Sequence, residues 1–116
     1  MSKVQRIRVK YEKKAEIKFL SHRDVINIFE RAVRRSELPI AYSEGYNPHM
    51  KISYGPPLKL GLHSDNQFAD FFMAIRTPLQ DFFKRLQDNL PPVIKLLEVQ
   101  EIDLNHLSLF EELKNN

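Results

Sequence analysis

His22 and His49, with the arginines Arg31, Arg34 and Arg35, are the residues whose types and spacing suggest chemistry. An imidazole titrates near neutrality and serves as acid, base or, when charged, anion contact. His22 follows Ser21 at the start of a helical pattern, where free backbone amides bind anions. His49 ends the run Ser43, Glu44, Gly45, Tyr46, Asn47, Pro48, His49. If helix start and run share a ligand, His22, Arg23, Asn47 and His49 line one concavity. Guanidinium forks match phosphate oxygens two at a time, and their summed field steers a polyanion. Arg6, Arg8 and Lys10 on a strand add to that field, and Tyr42, Tyr46 and Tyr54 offer stacking faces for unpaired bases. The competing readings are a histidine packed at a helix start and a solvated arginine cluster suited to a helix carboxyl end. His22, His49 and His63 lack the H-x₃-H or H-x-H spacing of a zinc site, so no metal is expected. No GxGxxG or Walker loop is present, so no nucleotide cofactor is expected either.

The elements that must position these residues are legible in the hydrophobic periodicity. Ile7, Val9 and Tyr11 alternate with Arg6, Arg8 and Lys10, the period of a strand. Ala15, Ile17 and Phe19 repeat it after a polar link. Ser21 and Asp24 have the spacing of a capping box. Val25, Ile28, Phe29, Ala32 and Val33 then form an apolar stripe, which predicts a helix over 22–37. Residues 39–43, PIAYS, read as a short strand. Ala69, Phe71, Met73 and Ile75 read as one face of another. Thr77, Pro78 and Gln80 predict a second capped helix, with Leu79, Phe82, Phe83, Leu86 and Leu90 as its stripe and Pro91-Pro92 as its stop. VIKLLEVQEI reads as the last strand, and LNHLSLFEEL as a short C-terminal helix. The order strand, helix, strand, strand, helix, strand predicts an α+β, ferredoxin-like (split βαβ) antiparallel sheet with two helices on one face.

Residues 43–61, SEGYNPHMKISYGPPLKLG, hold all three glycines and three of the seven prolines. A hairpin needs only two to five turn residues, so so long a Gly/Pro loop points to a ligand surface. Gly45 allows a positive-φ turn, and Asn47-Pro48 sets an extended and then turned path. The alternative is a long structural connection.

Residues 1–60 hold thirteen Lys/Arg against six Asp/Glu, and residues 61–116 five against nine. That asymmetry suggests a basic face for an acidic partner, nucleic acid first among them. The apolar runs are too short to span a membrane, and the N-terminal residues lack the apolar core of a secretory signal. With no cysteine, a cytoplasmic location is expected, and thiolate chemistry and an iron–sulfur cluster held by this chain are excluded.

The stretch FLSHRDVINIFERAVRRSELPIAYSEGYNPHMKISYGPPLKLGLHS, residues 19–64, resembles the signature of the DUF2344 family, the radical-SAM-linked proteins. Phe19, Leu20, Ser21, His22 and Asp24 carry the likeness, then Arg31, Arg34, Arg35, Leu38 and Pro39. Ser43, Gly45, Asn47, Pro48 and His49 continue it, then Pro57, Leu58, Leu60, Gly61 and Ser64. Arg23, Glu44 and Tyr46 depart from it, standing where the pattern has leucine, glutamine and phenylalanine. The resemblance implies a single domain over 1–116, short or truncated for the family, beside a B12-binding radical-SAM enzyme. The expected function is then a non-catalytic accessory domain that binds RNA (tRNA or rRNA) or presents substrate to a radical-SAM partner. Its binding residues are Ser21, His22, Arg23, Arg31, Arg34, Arg35, Ser43, Glu44, Gly45, Tyr46, Asn47 and His49. The alternatives are a metal-independent RNA-processing enzyme using His22 and His49, or a protein-docking module for a radical-SAM partner.

Overall fold

The computed structural model describes residues 3–13, 20–55 and 67–106. Within them lie β1 (Gln5–Lys13), α1 (His22–Ser36), β2 (Ile52–Tyr54), β3 (Gln67–Met73), α2 (Leu79–Asp88) and β4 (Ile94–Ile102). The strands form one sheet in the order β2-β3-β1-β4, and every neighbouring pair is antiparallel. This is the expected α+β, ferredoxin-like arrangement. The strand expected at 15–19 and residues 56–61 of the Gly/Pro loop lie outside the described residues. Of the expected C-terminal helix, 104–106 are described and form a turn.

Alternation sends Ile7, Val9 and Tyr11 of β1 to the side that the helices cover, together with Ala69, Phe71 and Met73 of β3. β4 keeps to the same side through a bulge. Lys10 faces Glu98, whereas Tyr11 faces Leu96, so Leu97 is the extra residue. The skipped position brings Ile94, Leu96 and Val99 to the core and leaves Leu97 exposed. From the helices come Val25, Phe29, Ala32 and Val33 of α1 and Phe82 and Leu86 of α2. Edge-to-face rings run through this core: Tyr11 to Phe29 at 4.9 Å, Phe29 to Phe71 at 5.6 Å, and Phe71 to Phe82 at 5.4 Å. They tie α1 to the sheet and the sheet to α2.

Four expectations are corrected. β2 lies inside the segment read as irregular, because Ile52 and Tyr54 pair with Phe71 and Ala69. Residues 39–43 make only isolated bridges, Ile40 to Met73 and Tyr42 to Met50. Ile75 is 65% exposed, since β3 ends at Met73 where Ala74 donates to the Pro39 carbonyl. Thr77 does not cap α2: its hydroxyl donates to the Ile75 carbonyl, and extended Pro78 is the N-cap with no side-chain bond. The turn before α2 is held instead by Gln5, whose side-chain amide exchanges two hydrogen bonds with the Thr77 backbone, at 2.8 and 3.0 Å.

The basic side of β1 is also not what alternation implied. Arg6 and Arg8 are 2% and 8% exposed, on either side of fully buried Asp70. Arg6 donates through Nε and Nη2 to Asp70 Oδ2, at 2.9 and 2.7 Å. Arg8 donates to Oδ1 at 2.8 Å and to Oδ2 at 3.0 Å. Antiparallel register sets Asp70 opposite Arg8, so one carboxylate serves both cations. These two arginines are structural, and the phosphate-holding role expected of them falls away.

Candidate functional site

α1 begins where the sequence places it. The Ser21 hydroxyl accepts from the Asp24 amide at 3.1 Å, and the Ser21 amide donates to the Asp24 carboxylate at 3.0 Å. The Ser21 backbone N–H and hydroxyl hold the Asp24 carboxyl below its ordinary value. Ser21 therefore works as a helix cap. At the other end Glu37 takes a left-handed conformation. Arg85 of α2 reaches across to donate to the carbonyls of Ser36, at 2.7 Å, and Glu37, at 3.0 Å. A guanidinium on carbonyls at a helix carboxyl end is favourable, and this one fixes the ends of α1 and α2 side by side.

Arg23, Asn27, Arg31 and Arg35 are all exposed and stand four residues apart on α1. Spacing of four keeps them on one stripe, roughly 18 Å long at about 1.5 Å per residue. Arg31 and Arg35 open onto a cleft of about 320 Å³ between the carboxyl ends of the helices, lined also by Ile28, Asp88, Asn89, Leu90 and Pro91. Arg34 leaves that group and stands 4.0 Å from Glu30 in an exposed pair, an interaction worth little. The structure thus brings together two of the three expected arginines and adds Asp88 and Asn89. The spacing of Asn27 was available in the sequence. Nothing in the sequence sets the end of α2 against α1.

His22 is half-buried at the start of α1, its ring 5.8 Å from Tyr54 in an edge-to-face contact. Burial, and after it the Lys13 charge, pushes its pKa down, so the imidazole is neutral at pH 7. Burial, reinforced by Glu30 and Tyr11, pushes the Tyr54 phenol up. Among the described residues the Tyr54 hydroxyl has no hydrogen-bond partner. A depressed histidine pKa means that the unfolded chain binds the proton more readily. Its contribution is therefore complete above the ordinary value of 6.5 and declines as pH falls from there towards the depressed value. Urea midpoints measured between pH 7.5 and 5 should fall more for the native chain than for His22→Phe, which keeps the ring contact without the proton. Parallel profiles would show that the surroundings of His22 do not oppose its charge.

Residues 43–49 form a loop closed by the Tyr42 to Met50 bridge. The Ser43 amide donates to the His49 carbonyl at 2.8 Å, and the His49 amide donates to the Ser43 hydroxyl at 2.9 Å. Gly45 has φ +122°, in the left-handed region that favours glycine. Glu44, Gly45, Tyr46, Asn47, Pro48 and His49 are all exposed, and the Tyr46 ring is fully so. Among the described residues no hydrogen bond, ion pair or ring contact joins His22 or Arg23 to Asn47 or His49. Among the described residues, no three His, Asp or Glu side chains gather as metal ligands, and no helix is long and apolar enough to cross a membrane.

These features define a class: a ferredoxin-like α+β domain whose exposed arginines run along one helix into an interhelical cleft. A family model described as "Uncharacterized protein conserved in bacteria (DUF2344)" matches residues 6–116. The chain belongs to that family. No curated protein matches it.

Proposed function

We propose that this domain binds single-stranded RNA along α1, as a non-catalytic accessory module that presents the strand to a radical-SAM enzyme. The observation that carries the reading is the exposed stripe Arg23, Asn27, Arg31, Arg35 ending in the cleft. Arg6 and Arg8 are buried and paired with Asp70, which makes α1 the natural seat of an exposed basic surface. Arginine forks hold successive phosphates without reading sequence. The Tyr46 ring supplies a face on which a base can stack. The radical-SAM link rests on the family resemblance. With no cysteine in the sequence, the cluster ligands of such an enzyme must come from the partner. An acid–base role for His22 and His49 would need both imidazoles within reach of one substrate.

The test is binding of labelled tRNA and rRNA fragments at several salt concentrations. Each neutralised phosphate contributes about 0.7 to the slope of log affinity on log salt for a single strand. Arg31→Gln with Arg35→Gln should weaken binding of all sequences alike and flatten the slope by roughly 1.4. Arg34→Gln, which removes an arginine outside the cleft, should change the slope less. An unchanged slope in the double variant, with its fold intact, would reduce the stripe to a solvated helix face and favour docking of a protein.

A further inference from the structure

The cleft between the ends of α1 and α2 is lined by both signs of charge. Arg31 and Arg35 stand on one side, Asp88 and Asn89 on the other, and Ile28, Leu90 and Pro91 supply apolar surface. A site for phosphate alone has no use for Asp88, because a carboxylate repels phosphate. Among the described residues Asp88 is engaged only by Lys84 one turn back, at 3.2 Å, with both side chains largely exposed, so that pair holds it weakly. Asn89 donates its amide N–H to the Arg85 carbonyl at 2.8 Å, leaving its side-chain carbonyl as the acceptor end. Opposite the arginines, then, the cleft presents acceptors, with apolar surface nearby.

A nucleotide has the complementary arrangement: an anionic phosphate, a flat base, and polar groups on the base edge. Among the four RNA bases, guanine alone offers two adjacent N–H donors, N1–H and N2–H, to a single carboxylate. Adenine and cytosine offer one amino group each, and uracil offers one imide N–H between two carbonyls. A volume of about 320 Å³ lies at the small end of ligand sites, which run from roughly 300 to 1,000 Å³. We propose that the cleft is a guanosine monophosphate subsite, which holds one unpaired guanosine of a bound strand. Asp88 accepts from the base edge, Leu90 and Pro91 lie against the base, and Arg31 and Arg35 take its phosphate and the next one along the strand. This inference rests on the RNA-binding reading and supplies its base preference.

The experiment is titration of the full chain with GMP, AMP, CMP and UMP, followed by amide chemical shifts. Alongside it, an oligo(U) strand is compared with the same strand carrying one central guanosine. GMP should bind about tenfold or more tighter than the other three, the discrimination expected of one bidentate base contact. Its shifts should centre on residues 28–35 and 88–91. Asp88→Asn should bring GMP down to the level of AMP, and Arg31→Gln with Arg35→Gln should weaken all four alike. Equal affinity for the four nucleotides, or a GMP preference that survives Asp88→Asn, overturns the subsite. Salt-dependent strand binding without guanosine preference overturns it too, but leaves the RNA reading standing. GMP selectivity without strand binding upholds the subsite and overturns the RNA reading.

Discussion

Asp70→Asn should destabilise the protein by about 3–5 kcal/mol, the cost of removing one partner from a buried ion group. Asp70 is fully buried, and Arg6 and Arg8 direct four hydrogen bonds to its two oxygens. An asparagine has nearly the same shape but no charge. It presents an NH₂ where a guanidinium expects an oxygen, so both arginines lose the carboxylate they share at the centre of the sheet. Arg6 keeps its bond to the His106 carbonyl at 2.8 Å and its place over the Phe72 ring. Because a small domain is stable by about 5–15 kcal/mol in total, the variant should unfold at a much lower urea concentration. Replacing the three residues together, Arg6→Met, Arg8→Met and Asp70→Leu, should recover most of the loss, since an apolar substitute for a buried ion group carries no desolvation cost. A loss below about 1 kcal/mol in Asp70→Asn would mean that water reaches the arginines and that the cluster is not buried in solution.

Phe29→Ala should cost a similar amount, about 3–5 kcal/mol, by a different mechanism. Its ring is fully buried and meets Tyr11, Tyr54 and Phe71 at 4.9, 6.3 and 5.6 Å. Truncation opens a cavity between α1 and the sheet, lined by rings on rigid strands that cannot collapse into it. Phe29→Leu, which refills much of the volume, should lose clearly less. The functional consequence follows from the chain of contacts, because α1 carries the arginine stripe and is seated by Phe29. In urea unfolding, a cost below about 1.5 kcal/mol for Phe29→Ala would show that α1 is held chiefly by other contacts, such as Arg85 on its carboxyl end.

Local patterns determined much of this protein. The capping box Ser21 and Asp24, the apolar stripe of α1, the alternation of β1 and the order of elements are all short-range features. Each is decided by residues within about four positions of one another. Those features sufficed for the ferredoxin-like order. They failed where pairing with distant chain overrode the local signal. Residues 52–54 looked irregular among Gly and Pro, yet form β2 because β3 offers them a partner. Thr77 looked like a cap, but Gln5, seventy-two residues earlier, holds its backbone.

The candidate site divides in the same way. That Arg23, Asn27, Arg31 and Arg35 share a stripe follows from helical spacing alone. Tertiary structure decided which basic residues are available. Arg6 and Arg8 had the same formal charge as Arg31 and Arg35, but strand register put Asp70 between them and buried all three. It also decided that Arg31 and Arg35 meet Asp88 and Asn89, because Arg85 binds the end of α1 to α2. Charge is a property of the residue and can be read along the chain. Its neutralisation, exposure and neighbours depend on contacts between residues some fifty to seventy positions apart, which no local pattern encodes.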